Sequence, residues 1–361
     1  ILKWTASDTN GIVKTEVSKD GSAWTTVTGL SSTVSGLTDG PWTIHVRVTD
    51  PAGNSVTDSV LVKVSVSGPS IEMAPEDTVY TDDDRLFVTA NISDEVPMTD
   101  AVLRVFVGGE MVSEVDLGDQ VQGDLAASLS YEIGLTEGVN VIKLTVNDSA
   151  GNSVTVEVTV VMDTMAPTLS IGFPTEGALL NVTQGIAQWT ASDDGSGLNN
   201  TWVRMDEGDW IELGSAEGWI FTSLVDGEHR LFVKVDDQAG NSVEKNVTFV
   251  VDTAAPTAEV SPTGTGNALN STVVIEFSEQ MNITSVDVAI EGASGNVTWN
   301  GTVLTFNPSA LEYARDYRVT VSGKDLAGNA MEMNWSFSTT TGTGSVTGTL
   351  VDEDGEPLAN I

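Results

Sequence analysis

One five-residue string recurs along this chain and fixes most of what the chain can fold into. Asp-x-Ala-Gly-Asn stands at Asp50–Asn54, Asp148–Asn152, Asp237–Asn241 and Asp325–Asn329, placing its aspartates 98, 89 and 88 residues apart. A period of this size belongs to a small domain repeated in tandem, not to a solenoid unit of a few dozen residues. A second echo supports it: Trp4-Thr5-Ala6-Ser7-Asp8 returns as Trp189-Thr190-Ala191-Ser192-Asp193.

Alignment on the motif aspartate exposes the local structure. Six and four residues before it stand Ile44 and Val46, Ile142 and Leu144, Leu231 and Val233, Val319 and Val321, with mostly polar residues between. That alternation is a strand with one buried face. At six, ten and twelve residues after the aspartate every copy is apolar: Val56, Val60, Val62; Val154, Val158, Val160; Val243, Val247, Phe249; Met331, Trp335, Phe337. Two alternating runs around a polar five-residue turn predict a β-hairpin. In it the Asp caps the turn, the Gly supplies positive φ and the Asn tolerates it.

The third copy sets the strand count. Strands are expected near Thr168–Phe173, Ile186–Ala191, Asn200–Met205, Trp210–Leu213, Trp219–Ser223, Arg230–Val235 and Ser242–Val251. Seven short strands with no helical periodicity predict an immunoglobulin-like sandwich. The whole is therefore expected to be all-β, tandem immunoglobulin-like β-sandwiches in an extended rod. The boundaries fall at 1–66, 67–163, 164–252 and 253–341, with the start of a fifth unit at 342–361. The first copy lacks its opening strand, because Trp4 has three residues before it where Trp189 has 23 after Ala166. The seams, Val161 to Thr168 and Val251 to Thr257, run directly from a last strand to a next first strand. Each holds a Pro that discourages pairing across it. The opening Ile1 and the closing Asn360-Ile361 lead us to expect a piece of a longer protein.

Charge narrows the function classes. Fifteen Lys+Arg against 52 Asp+Glu leave a net charge of −37, which disfavours nucleic-acid and anionic-membrane partners. With 40% hydrophobic residues the chain is too apolar for disorder, and no stretch is apolar for long enough to span a bilayer. Zero Cys removes disulfides and thiol nucleophiles. The two histidines, His45 and His229, read as lying on the outward parity or edge of their strands. No nucleophile elbow or His-Glu-x-x-His string is present. Glu276 and Glu279 fall on opposite faces of one strand, so they do not form a carboxylate pair. An enzyme is not expected, and no catalytic residue is assigned.

The Asp-x-Ala-Gly-Asn hairpin followed by an Asp-Thr-x-Ala-Pro-Thr seam resembles the tandem bacterial and archaeal Ig-like repeats of large surface proteins. The fourth copy is similar to the SbsA-type Ig-like domain of surface-layer and cell-wall proteins. Its carriers are Val274-Ile275-Glu276-Phe277-Ser278-Glu279-Gln280-Met281, Leu304 to Pro308, Tyr317 to Val321 and Phe337-Ser338-Thr339. The tail from Val346 to Leu358 resembles the first hairpin of a carboxypeptidase-regulatory-like domain, a non-catalytic sandwich. What the resemblance implies is an exported, extracellular stalk, spacer or adhesive region. Its partners would be cell-envelope components or the surface proteins and glycans of other cells. An accessory region of a secreted hydrolase and a glycan-binding module are the alternatives.

Three sets of residues invite a site reading. A Ser-acid pair closes the second strand of every copy: Ser7-Asp8, Ser93-Asp94, Ser192-Asp193 and Ser278-Glu279. In such a sandwich this loop shares an end with the motif turn and with the incoming seam. Asp163, Asp193, Asp194, Asp236 and Asp237 should then gather near one junction, where carboxylates and loop carbonyls suit Ca²⁺. Calcium at the domain junctions is one reading, and turn chemistry alone also accounts for the residue types. Glycosylation sequons stand at Asn91, Asn147, Asn181, Asn199, Asn246, Asn270, Asn282, Asn296, Asn300 and Asn334. Trp202, Trp210 and Trp219 crowd the third copy and could stack on sugars. Trp4 and Trp189 are expected in or beside a core.

Overall fold

The computed structural model describes residues 1–342 together with 344, 348, 353 and 354. The tail reading from Val346 to Leu358 therefore lies outside the described residues except at Gly348, Glu353 and Asp354. Those residues are strands and turns, with a single 3₁₀ turn at Gly118–Gln120. No helix among them is long and apolar enough to cross a membrane. Each motif sits in the expected hairpin: Gly40–Thr49 with Ser55–Val64, Gly138–Asp148 with Ser153–Met162, Gly227–Asp237 with Ser242–Val251, and Asp316–Lys324 with Ala330–Thr339. The alternating residues pair across these ladders, as in Ile44 opposite Val60 and Val319 opposite Trp335.

The chain divides into two compact units. The first comprises residues 1–168 with the loops 191–200 and 235–243. Within it the first copy forms a four-stranded sheet in the order Trp24–Val27, Lys14–Ser18, Gly40–Thr49, Ser55–Val64. Facing it is only a pair of two-residue strands, Leu2–Lys3 and Ser31–Ser32. Val56 and Val60, expected on a buried face, are accordingly 66% and 43% exposed. The second copy is a full sandwich. Glu110–Asp116, Met98–Val107, Gly138–Asp148, Ser153–Met162 and Val79–Thr81 form one sheet, and Ala126–Gly134, Arg85–Ser93 and Ser70–Ala74 the other. Ile142, Leu144, Val158 and Val160 pack against Val88, Ala90, Ile92, Leu129 and Ile133 between the sheets.

The second unit comprises residues 169–190, 201–234 and those from 244 on. It holds most of the third copy, whose buried residues include Ala187, Trp189, Val203, Leu231, Val233 and Phe249. The fourth copy packs two four-stranded sheets. Ala258–Ser261, Val273–Phe277, Val303–Pro308 and Gly295–Asn300 face Gly264–Asn267, Ala330–Thr339, Asp316–Lys324 and Asp287–Ile290. Short edge strands such as Leu179–Leu180 escape a periodicity search, because two residues carry no period. They follow Pro75, Pro174 and Pro262, where the first strand of copies two to four leaves one sheet and joins the other. A proline cannot donate to the ladder it interrupts.

A second repeated device stands eight residues before each motif aspartate. Trp42 donates its indole N–H to the Thr38 carbonyl at 2.7 Å. Asn140 donates to the Thr136 and Gly138 carbonyls at 2.7 and 2.9 Å and accepts from the Thr136 N–H. His229 Nε2 lies 2.8 Å from the Val225 carbonyl and its Nδ1 2.8 Å from Asp206 Oδ2. The Tyr317 hydroxyl accepts the Glu312 N–H at 2.7 Å. Asn140, His229 and Tyr317 are buried. Four side chains of unlike chemistry thus tie the start of the motif strand to the loop entering it, the job of a tyrosine corner. This corrects the outward reading of His229, which shares the inward parity of Leu231 and Val233. His45 is half-buried and lies edge-on to Trp24 at 6.3 Å.

Both partners of the His229 ring are acceptors, so only the imidazolium makes both bonds. Burial opposes that charge, yet the Val225 carbonyl and the Asp206 carboxylate outweigh it, and the pKa is raised above 6.5. The stabilisation is therefore full below the ordinary histidine range and is lost as pH climbs through the raised native value. Imidazole titration by NMR should give a pKa above 6.5. His229→Leu should abolish this pH dependence and lower stability by about 1–3 kcal/mol, since the Val225 carbonyl loses its donor.

Candidate functional site

The motif turn is the same object four times. The aspartate N–H donates to the asparagine carbonyl at 3.0 Å in every copy. One carboxylate oxygen accepts the asparagine N–H, at 2.8 Å for Asp50, Asp148 and Asp325 and 2.9 Å for Asp237. The other accepts the asparagine side-chain amide at 2.7–2.9 Å. These bonds favour the ionised carboxyl, and for Asp50 the asparagine side chain leads them in holding the pKa low. For Asp148 burial works the other way and the same bonds overcome it. Positive φ is taken by Gly53, Gly151, Gly240 and Gly328 and by none of the four asparagines. The asparagine is not there to tolerate a strained backbone.

Its role is to donate twice. The second amide hydrogen of Asn241 reaches the Asp163 carbonyl at 2.8 Å, and that of Asn329 reaches the Asp252 carbonyl at 2.8 Å. Asn152 does the same to the Ser65 and Ser67 carbonyls at 3.2 and 3.1 Å. Each of these acceptors lies in the linker that enters the copy holding the motif. The turn therefore clamps the incoming seam. Sequence alone found the motif and the seam separately and missed the bond, because the partners are 77 to 87 residues apart.

The same geometry gathers carboxylates. Asp163, Asp193 and Asp237 each offer an oxygen within 4.8 Å of the others, and Asp252, Glu279 and Asp325 repeat the arrangement. Asp163 is fully buried, and its carboxylate accepts the Met165 and Ser196 N–H groups at 3.0 and 2.7 Å. Burial raises its pKa, but these bonds prevail and hold it low. Asp193 accepts the Gly195 and Gly197 N–H groups at 3.0 Å. A Cβ on Gly195 would lie 2.4 Å from the Asp163 carboxylate, so glycine is what lets the loop close on it. In the second set burial raises the Glu279 pKa, and the charges of Asp252 and Asp325 raise it further. Of the five expected residues, three come together. Asp194 is exposed and Asp236 is half-buried, on the strand parity of Phe232 and Lys234. Glu279 and Asp325, aligned in sequence but not assigned to a site, form the second set with Asp252.

The remaining candidates are dispersed. Nine sequon asparagines are exposed, while Asn147 is half-buried and donates to Asp100. Trp189 is 3% exposed, Trp4 is half-buried, and Trp210 is 37% exposed.

Residues 251–339 match a family model described as bacterial Ig-like domain, and residues 184–253 match a second model of the same description. Residues 184–339 thus match two bacterial Ig-like domain models in tandem. Among solved structures, the tetra-tandem repeat in the extending region of a large adhesion protein is similar at 18% identity. It aligns over 94% of each chain with a TM-score of 0.31. A structure from a 1.5-MDa bacterial ice-binding adhesin is 13% identical over 75% of this chain and 98% of its own, TM-score 0.35. The fibronectin(III)-like modules of Clostridium thermocellum CbhA are 16% identical over 50% and 94%, TM-score 0.29. No curated protein matches the chain.

Asn241→Ala should leave the buried Asp163 carbonyl without its donor and cost about 1–3 kcal/mol. Proteolysis within 163–168 should quicken in that variant, while Asn54→Ala, whose side chain bonds only its own turn aspartate, leaves cleavage there unchanged.

Proposed function

We propose that the chain is a non-enzymatic stalk, spacer or adhesive region of a large exported cell-surface protein. The observation that carries this reading is the clamp: the most repeated polar device in the sequence holds linkers. Asn152, Asn241 and Asn329 each fix the carbonyl of the segment entering their repeat. A chain that spends its recurring motif on its own seams is organised to transmit position. The engagement of both His229 ring nitrogens in a structural latch is in keeping with a role without catalysis. Within this reading the fourth repeat is an SbsA-type domain of a surface-layer or cell-wall protein. The tail begins a carboxypeptidase-regulatory-like domain, and exposed sequons carry glycans where the host glycosylates. Antibodies against residues 164–252 should label intact cells of the source organism; labelling only after permeabilisation would overturn the reading.

Calcium at the seams belongs to the same proposal. Two sets of three carboxylates supply only oxygen, the donor a hard cation takes, and loop carbonyls and water would complete six to eight ligands. Asp163, Asp193 and Asp237 would hold one ion, and Asp252, Glu279 and Asp325 another. The raised Glu279 pKa fits a group among like charges that a cation would relieve. The melting midpoint should rise when Ca²⁺ replaces EDTA, and this rise should shrink in Asp193→Asn. Indistinguishable midpoints would leave the clamp standing and remove the metal.

A further inference from the structure

Inward residues are read easily from a sandwich, and its outer faces are where recognition happens. Three of the repeats place a cation against an aromatic ring on the outward parity of their motif sheet. In the first, the Arg47 guanidinium lies 4.1 Å from the Trp24 ring centroid and pairs with Glu16 at 2.8 Å. In the second, Lys143 lies 5.6 Å from the Phe106 ring and pairs with Glu157 at 2.8 Å. Neighbouring Arg104 pairs with Glu114 at 2.7 Å. These cations are neutralised, as expected on a chain of net charge −37.

The third repeat departs from this pattern. Thr201 and Val203 are buried, so Trp202 and Arg204 point outward from their strand; Leu231, Val233 and Val235 do the same for Phe232 and Lys234. The Arg204 guanidinium lies 4.2 Å from the Phe232 centroid and 4.9 Å from that of Trp210. The two rings meet edge-on at 6.4 Å, so the guanidinium sits in the corner they form. Its Nε is buried with no hydrogen-bond partner, and among the described residues no carboxylate lies within ion-pair distance. Lys234 lies 5.1 Å from the Trp202 ring alongside. Stacking holds the guanidinium plane still, and with Nε buried it is the two terminal N–H₂ groups that offer the fork matching a carboxylate. Trp210 beside it, 37% exposed, is an aromatic platform of the kind sugar rings stack on.

We propose that this face binds a glycan through one carboxylated sugar residue: the carboxylate on Arg204, the ring against Trp210. The assignment rests on the adhesive side of the function proposed above and names its ligand class. One unpaired guanidinium answers one carboxylate. The surrounding negative charge repels every further one, which selects an isolated acidic sugar over a polyuronate.

Calorimetric titration of the 361-residue chain in EDTA, which excludes calcium bridging, tests this. The probe is an oligosaccharide ending in a single glucuronic acid, set against its carboxyl-reduced neutral twin and against polygalacturonate. We expect binding of the acid-terminated probe, at least ten-fold weaker binding of the twin, and loss of ten-fold or more in both Arg204→Gln and Trp210→Ala. Arg204→Lys keeps the charge and loses the fork, so it too should weaken binding. Circular dichroism and the His229 titration establish that each variant is folded. Absence of binding by the parent chain, equal binding of the neutral twin, or unchanged affinity in folded Arg204→Gln would each overturn the proposal. Preference for polygalacturonate would overturn the single-carboxylate assignment. Surface labelling is unaffected by any of these outcomes, so the stalk reading fails or stands separately.

Discussion

The interaction on which the seams of this chain depend is one primary amide with two obligations. In Asn241 and Asn329 one amide hydrogen closes the turn on its own aspartate and the other holds the carbonyl of the incoming linker, each at 2.8 Å. Neither bond is strong alone, since an exchange with water leaves about 1 kcal/mol. Their value lies in what is buried with them. Asp163 and Asp237 are both nearly inaccessible, and a buried acceptor left unpaired costs more than a paired one gains. Turn and seam therefore stabilise one another.

The same coupling concentrates charge. Once the turn aspartate, the seam aspartate and the acid closing the second strand share one end of a repeat, three carboxylates lie close together. Backbone N–H groups tame Asp163 and Asp193, whereas Glu279 stays uncompensated beside Asp252 and Asp325. The acidity of the chain is thus partly local, set by the turn that organises each junction.

Much of the fold was legible in the residues. Alternation of Ile142 and Leu144 against mostly polar neighbours gave the strand and its inner face, and the hairpin followed from Asp, Gly and Asn in a five-residue turn. All seven strands expected in the third copy fall within a few residues of their expected positions. The short strands after Pro75, Pro174 and Pro262 were not legible, because two to four residues carry no periodicity. His229 was misjudged as outward, since a polar side chain on an inward parity is informative only when its partners are known. Those partners, Asp206 and Val225, are set by the fold. The burial expected of Val56 and Val60 failed for another reason: alternation marks the face a strand would bury, and whether a second sheet covers it is a separate matter.

Sequence by itself determined the repeat, the hairpins, the sandwich class and the aspartates, all consequences of short-range pattern and backbone geometry. Tertiary structure alone decided that three of the four motif asparagines are clamps, that three of five expected acids converge, and that Arg204 lies against two rings without a carboxylate. Each of these rests on groups brought together across turns or tens of residues, where distance and burial decide which bonds form. Residue type supplies the donors and acceptors; only the packed chain assigns them to one another.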